Sequence, residues 1–277
     1  MTPPRRAVLV APPGACDTHV HFYDVAAPRA PGTPMPGTFT VDDYRAVQRR
    51  LGLARVVVVQ PNAYADDNRL ALASIAQIGA GARGVAVVRP GVADAELARL
   101  TAGGIRGLRI MTLNGGTLGF DVMDELAARV HAFGWHANVQ LDGRELPRHE
   151  EQLARLPGRF VIDHIGKFLE PVAPEHESFR ALLRLVDTGR CWVKLSAPYE
   201  TSRQGPPLYD DVSHLARALV RHAPERLLWA SNWPHPSAVG PAPPDDADLL
   251  DLLLDWAPDA RTRARILSDN AAELYGF

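Results

Sequence analysis

Ala15-Cys16-Asp17-Thr18-His19-Val20-His21 is a short apolar-led run in which Asp17, His19 and His21 are spaced two residues apart. On an extended chain alternate side chains share a face, so the spacing predicts that these three point the same way. Two imidazoles about 7 Å apart along a strand can hold a metal ion or polarise a carbonyl from one side. The pair alone does not choose between these uses, and a structural role is as good a reading of it.

Seven further runs of strand character follow, from Arg55 to Gln60, Gly84 to Arg89, Ile105 to Met111, Trp135 to Leu141, Phe160 to His164, Cys191 to Ala197 and Leu227 to Ser231. Between them lie amphipathic helical patterns over 41–51, 67–78, 93–102, 121–133, 146–156, 175–188 and 208–222, with a last helical region from 245 onward. Eight strands alternating with eight helices predict an α/β protein, a single-domain (β/α)8 TIM barrel. Residues 1–14 read as an N-terminal extension and 15–277 as the barrel.

Local chemistry fits these boundaries. Thr40-Val41-Asp42-Asp43 predicts a capped helix start with acid at its positive end. Gly52, Gly103, Gly134, Gly158 and Gly189 each close a helical pattern and are expected to be left-handed caps. The proline-rich stretches 28–36 and 234–244 follow the first and last strands. A barrel puts both on its active face, where stiff loops can form a wall or partial lid.

With 277 residues, 46% of them hydrophobic, the chain can bury a large core. A net charge of −2, with no basic run beyond Arg5-Arg6 and Arg49-Arg50, carries no footprint of nucleic-acid binding and favours a small-molecule partner. Cys16 and Cys191 form no CxxC, so neither a zinc knuckle nor a disulfide framework is expected. The apolar stretch from Ala7 to Ala11 is short and is broken by Pro12-Pro13, unlike a secretory leader, and no run reaches the roughly 18 apolar residues of a membrane span. A cytoplasmic location is expected.

A barrel gathers the C-terminal ends of its strands around one cavity. There the sequence offers His19 and His21, then Gln60 and Asn62, then Arg109 in phase with Gly107 as an anion holder. The fifth strand alternates His136, Asn138 and Gln140 with apolar residues, so its polar side is expected to face the lumen, Gln140 nearest the mouth and His136 deeper. His164 closes the sixth strand. Lys194 and Ser196 share a side of the seventh, Lys194 being a candidate charge partner for Asp17 or Asp163. The eighth leads into Ser231-Asn232-Trp233-Pro234-His235-Pro236.

These segments resemble, in order, the motifs of the amidohydrolase superfamily. The match is to its amidohydrolase-2 branch, which includes pyrone-dicarboxylate lactonase and related sugar-lactone hydrolases. The resemblance rests on Ala15 to His21, Val59-Gln60-Pro61-Asn62, Val161-Ile162-Asp163-His164-Ile165-Gly166, Val193 to Tyr199, and Trp233-Pro234-His235-Pro236. It implies a distorted barrel in which the first-strand histidines, the sixth-strand histidine and an eighth-strand acid surround a scissile carbonyl. His19, His21, His164 and Asn232 are thereby expected to be catalytic, and Asn62, Arg109, Gln140, Ser196 and His235 to bind substrate.

This chain departs from that pattern in three respects: the acid, the metal ligands and the substrate-holding groups. Asn232 stands where the family places Asp, and a neutral amide orients water or donates to an oxyanion but takes no proton. A positioned base is worth about 10² to 10⁴ in rate, or roughly 2.7 to 5.4 kcal/mol, so His164, His21 or His235 is needed as a replacement. Binuclear relatives carry Lys or Glu and His near Arg109 and Gln140, which argues against two metals. The resembled lactonases work without one, so no cofactor is expected, a single zinc on His19, His21 and His164 being the alternative. Glu200 stands where relatives acting on dicarboxylates carry Arg, and Gly32-Thr33-Pro34 replaces a Tyr-Thr-Pro segment, so one substrate carboxylate is expected, held by Arg109. The expected activity is hydrolysis of a small carboxylated lactone or cyclic ester. Lactone isomerisation or decarboxylation on the same barrel, or sugar-acid binding without turnover, are the alternatives.

Overall fold

The computed structural model describes residues 5–33, 35–113, 115–238 and 243–277. Eight parallel strands form one sheet in chain order: β1 (Cys16–Val20), β2 (Arg55–Val59), β3 (Ala82–Ala86), β4 (Ile105–Met111), β5 (His136–Gln140), β6 (Phe160–Ile162), β7 (Cys191–Leu195) and β8 (Leu227–Trp229). The chain beyond β8 returns to β1. Val20 bridges Trp233, the His21 amide donates to the Trp233 carbonyl at 2.8 Å, and the Asn232 amide donates to the His19 carbonyl at 3.0 Å. The expected barrel therefore closes through the two segments that carry the candidate chemistry.

Helices α1 (Val41–Leu51), α2 (Arg69–Ile78), α3 (Asp94–Ala102), α4 (Met123–His131), α5 (Leu146–Arg155), α6 (Glu177–Asp187), α7 (Asp210–His222) and α8 (Asp246–Trp256) surround the sheet. Thr40 caps α1 in a capping box with Asp43, as its sequence predicts. The expected C-terminal helical region divides at Pro258 into α8, α9 (Ala260–Ala264) and, after one wide turn, α10 (Asn270–Tyr275). Proline has no amide hydrogen to continue the ladder. Gly52, Gly134, Gly158 and Gly189 take left-handed φ, whereas Gly103 has φ −74° and Gly104 makes the turn instead, at +96°. β3 begins and ends earlier than its pattern suggests. Beyond Ala86 the Asn68 side chain takes over pairing, accepting from the Val87 amide at 3.1 Å and donating to the Val87 carbonyl at 2.7 Å.

Alternation divides each strand between helices and lumen. Leu108, Ile110, Ala137, Val139, Phe160, Ile162, Val193 and Leu195 join the large core under the helices. The lumen floor is apolar, with Cys16, Val57, Val85, Val161, Trp192 and Leu228 packed on Ala271 and Tyr275 of α10. Both cysteines are buried free thiols. Gly107 pairs with His136, and a methyl group on Gly107 would sit 2.7 Å from the His136 Nε2, so the small residue makes room for that ring.

One expectation fails here. The pairing of β1 with β2 shifts register between Asp17 and Val20. This irregularity takes Asp17 away from the histidines, to the Tyr44 hydroxyl on α1 (3.1 Å) and to Ser231, whose Oγ and amide donate at 2.5 and 3.0 Å. His19 and His21 remain on the lumen side.

Candidate active site

Above the apolar floor lies a buried ionic layer. Lys194 Nζ is 3.2 Å from Asp163 Oδ1, and it donates to Asn138 Oδ1 at 2.8 Å and to His19 Nδ1 at 3.1 Å. Asn138 Nδ2 in turn donates to Asp163 Oδ2 at 2.8 Å. Lys194 thus pairs with Asp163, and Asp17 is bound elsewhere. Burial alone would raise the Asp163 carboxyl, but the Lys194 charge holds it well below the usual carboxylate range. His136 is not among these partners. Its Nε2 is buried without a hydrogen bond, the ring meets Tyr275 edge-on, and burial lowers its pKa to about 3.

The imidazoles stack upward from this layer. His19 Nε2 and His21 Nε2 are 3.2 Å apart, and His21 Nδ1 is 2.7 Å from the Val59 carbonyl. A carbonyl only accepts, so His21 carries its proton on Nδ1 and its Nε2 is an acceptor. His19 Nδ1 accepts from Lys194, so its proton lies on Nε2 and is donated to His21. Burial first, then the Lys194 charge for His19 and the Arg109 charge for His21, pushes both imidazoles well below their ordinary pKa. His164 lies 4.9 Å from His19, ring centre to ring centre, with its Nδ1 2.8 Å from the Ser196 hydroxyl. Burial lowers His164 to about 3. All three are neutral at pH 7.

The mouth of the barrel holds a cavity of about 210 Å³, lined by His21, Tyr23, Asn62, Arg109, Gln140, His164, Glu200 and Asn232, with Met35, Pro36, Pro236 and Ser237 from the two proline-rich loops. Pro34 and residues 239–242 of those loops lie outside the described residues. The volume suits a small-molecule ligand. Arg109 is fixed by donating to the Gln60 carbonyl at 2.5 Å and to Gln140 Oε1 at 3.1 Å, while its Nε has no partner. A larger cavity of about 730 Å³ lies between Arg5, Tyr209 and Asp248, outside the barrel mouth, and contains none of the strand-end histidines.

Of the residues singled out in the sequence, His21, His164, Asn232, Asn62, Arg109 and Gln140 line the cavity. His19 and Ser196 lie directly behind it, against His21 and His164. His235 is turned away, its Nδ1 3.0 Å from the Tyr199 hydroxyl and its Nε2 3.0 Å from Asp246 Oδ1. Gln60 also leaves the cavity and donates to the Ala65 and Asp67 carbonyls. Asn232 Nδ2 donates to Tyr199 Oη at 2.9 Å and to Glu200 Oε1 at 3.1 Å. A carboxylate only accepts, so the Asn232 amide is oriented, with Oδ1 directed elsewhere. Asn232 and His164 both hold left-handed backbone, φ +61° and +56°, the kind of strain that concentrates at functional sites.

Glu200 and Lys167 are the functional candidates that sequence reasoning missed. Glu200 follows Pro198-Tyr199 in a tight turn and reads in sequence only as a lost arginine. Its partner Lys167 comes from a left-handed position after β6, 33 residues away. No local spacing signals a pair brought together by two separate strand-end turns.

The ligand atoms of His19, Asp163 and His164 lie within 4.8 Å of one another, so the group could hold a metal ion. No described helix is long and apolar enough to cross a membrane.

Residues 16–277 match the family model described as Amidohydrolase. A D-galactarolactone isomerase of Agrobacterium fabrum is 39% identical over 271 residues, covering 95% of this chain and 91% of the relative. A 2-pyrone-4,6-dicarboxylate hydrolase of Comamonas testosteroni is 32% identical, covering 98% and 93%. Among solved structures, an apo crystal structure of an Agrobacterium tumefaciens protein superposes with a TM-score of 0.89 at 38% identity, covering 97% of each chain.

Proposed function

This chain belongs to the amidohydrolase family, and on that premise we propose that it is an enzyme that adds an oxygen nucleophile to the carbonyl of a small carboxylated lactone. The observation that carries the reading is the convergence of neutral His21 and His164 with the cationic Arg109 on one small cavity. Arg109 holds the substrate carboxylate, since a guanidinium offers a planar fork of donors to such a group. The histidines and the Asn232 side chain surround the carbonyl, where preorganised dipoles stabilise the oxyanion formed on addition.

Hydrolysis, with water as nucleophile, is the activity expected from the motif series, and the pyrone hydrolase relative supports it. Asn232 favours a second reading, isomerisation, in which a hydroxyl of the substrate itself attacks and the ring re-forms through a different oxygen. That path needs no water held by an eighth-strand carboxylate, and the galactarolactone isomerase relative supports it. Both share the same addition step.

The hydrogen-bond pattern of the histidines supports a metal-free reaction. Lys194 engages the His19 Nδ1 lone pair, so a metal at His19 would have to displace the ammonium, while His19 Nε2 faces His21 Nε2 at 3.2 Å. His21, with its Nδ1–H on the Val59 carbonyl, is oriented as a metal-ligating histidine is, whereas His19 Nδ1 meets the Lys194 ammonium. A zinc on His19, His21 and His164 would compete with Lys194 for His19, and this contact is what supports the metal-free reading.

The test is a panel of carboxylated γ- and δ-lactones incubated in H₂¹⁸O and followed by NMR and mass spectrometry. Hydrolysis gives an open acid carrying one ¹⁸O, and isomerisation gives a rearranged lactone carrying none. Absence of either product over the panel, from folded protein, refutes the reading.

A further inference from the structure

Glu200 is the one carboxylate among the described residues that line the cavity. Its side chain is only 4% exposed, yet burial does not neutralise it: the Lys167 ammonium against Oε2 holds the carboxyl below its ordinary pKa. Oε1 accepts from Asn232 Nδ2 at 3.1 Å and keeps a lone pair free, since each carboxylate oxygen offers about two acceptor sites. The same contact bears on the eighth strand. An aspartate at 232 would set two carboxylates about 3 Å apart, and one of them would stay protonated. Asn232 and Glu200 therefore form a matched pair, in which an amide at 232 permits a charged carboxylate at 200.

We propose that the working carboxylate of this site has moved from the eighth strand to Glu200, which takes the proton of the attacking oxygen. The proposal rests on the lactone-opening reading above. The attacking O–H, from water or from a substrate hydroxyl, forms a new C–O bond to the carbonyl carbon while its proton passes to Glu200. Collapse of the tetrahedral adduct breaks the ring C–O bond, and the departing alkoxide takes the proton back. Glu200 ends as it began, and no other reactant is consumed beyond the water of hydrolysis.

The experiment compares wild type, Glu200→Gln, Asn232→Asp and the double variant Asn232→Asp/Glu200→Gln on the lactones that wild type converts. Glu200→Gln is expected to lose at least 100-fold in kcat with KM little changed, as for removal of a general base, and to lose the acid limb of the pH profile. The double variant, which returns a single carboxylate to strand eight, is expected to recover at least tenfold over Glu200→Gln. If Glu200→Gln does not fold because Lys167 is left unpaired, Lys167→Met/Glu200→Gln carries the same comparison. The proposal is overturned if the variant lacking Glu200 keeps kcat within threefold of wild type. If wild type converts no lactone, the functional reading fails by itself, and Glu200 is judged by calorimetric binding of D-galactonate against hexanoate. Loss of the preference for the hydroxylated acid in Glu200→Gln supports Glu200 as the acceptor of a ligand hydroxyl, and retention of that preference overturns it.

Discussion

Replacing Lys194 by methionine tests whether the buried ionic layer sets the protonation of the histidines above it. The substitution keeps the volume of the stem and removes three contacts: to Asp163 Oδ1 at 3.2 Å, Asn138 Oδ1 at 2.8 Å and His19 Nδ1 at 3.1 Å. Asp163 then stays buried with its counter-charge gone, and breaking such a pair from one side typically costs about 3–5 kcal/mol. A chain of this length unfolds with an entropy of about 0.6 kcal/mol/K, so the melting temperature should fall by about 5–9 °C. Without the ammonium, His19 Nδ1 is free to donate to Asp163 Oδ1, 3.4 Å away. Its proton then leaves Nε2, and both facing Nε2 atoms carry lone pairs. The variant should therefore bind zinc more tightly than wild type. Denaturant unfolding and metal titration by calorimetry measure the two effects. Lys194→Met/Asp163→Asn should recover most of the stability, because no unpaired charge remains. A single variant within 1 kcal/mol of wild type, or one that binds zinc no better, would refute the reasoning.

Arg109→Lys should raise KM for a carboxylated lactone about 10- to 150-fold with a smaller change in kcat, because it removes a bidentate, charge-assisted contact worth roughly 1.5–3 kcal/mol that serves substrate and transition state alike; steady-state kinetics decides, and an unchanged KM would place the carboxylate elsewhere. Dialysis against a chelator should leave activity within twofold of the untreated enzyme, and a loss restored by zinc would overturn the metal-free reading. Stability should fall as pH drops below about 6.5. His136 and His164, held at about 3 in the folded state, bind protons only when unfolded over that window, and each costs about 1.4 kcal/mol per pH unit well below 6.5. Asp17, raised to about 6 by burial, acts oppositely and regains stability as pH falls from 6 toward 3.8, but one carboxyl offsets only one histidine. Urea midpoints at pH 7.5 and 5 measure the balance, and a higher midpoint at pH 5 contradicts it. Gly107→Ala should destabilise the barrel by forcing a methyl group to 2.7 Å from the His136 ring, a loss of about 1–3 kcal/mol for overpacking, measurable by the same denaturant unfolding.

The eight strands and most helix boundaries are legible in the sequence because they depend on short-range physics: alternation in a strand, periodicity in a helix, and a cap at Thr40. The polar stripe of His136, Asn138 and Gln140 could be assigned to the lumen for the same reason, since a barrel strand has only one face that can stay polar. The convergence of His21, His164 and Arg109 then follows from barrel geometry, which turns distant strand ends into neighbours. What one strand could not reveal is its partner's register. The shift in β1 separates Asp17 from His19, and hydrogen bonds supplied by Asn68 end β3 before its apolar pattern does. The ion pairs are still less local. Lys194 chooses Asp163 over Asp17, and Glu200 meets Lys167 and Asn232, only because three separate chain segments close on the same few ångströms. Composition and periodicity thus determined the barrel and the residue types at its mouth, while the tertiary structure alone decided which charges pair, which imidazole nitrogens carry protons and where the cavity keeps its carboxylate.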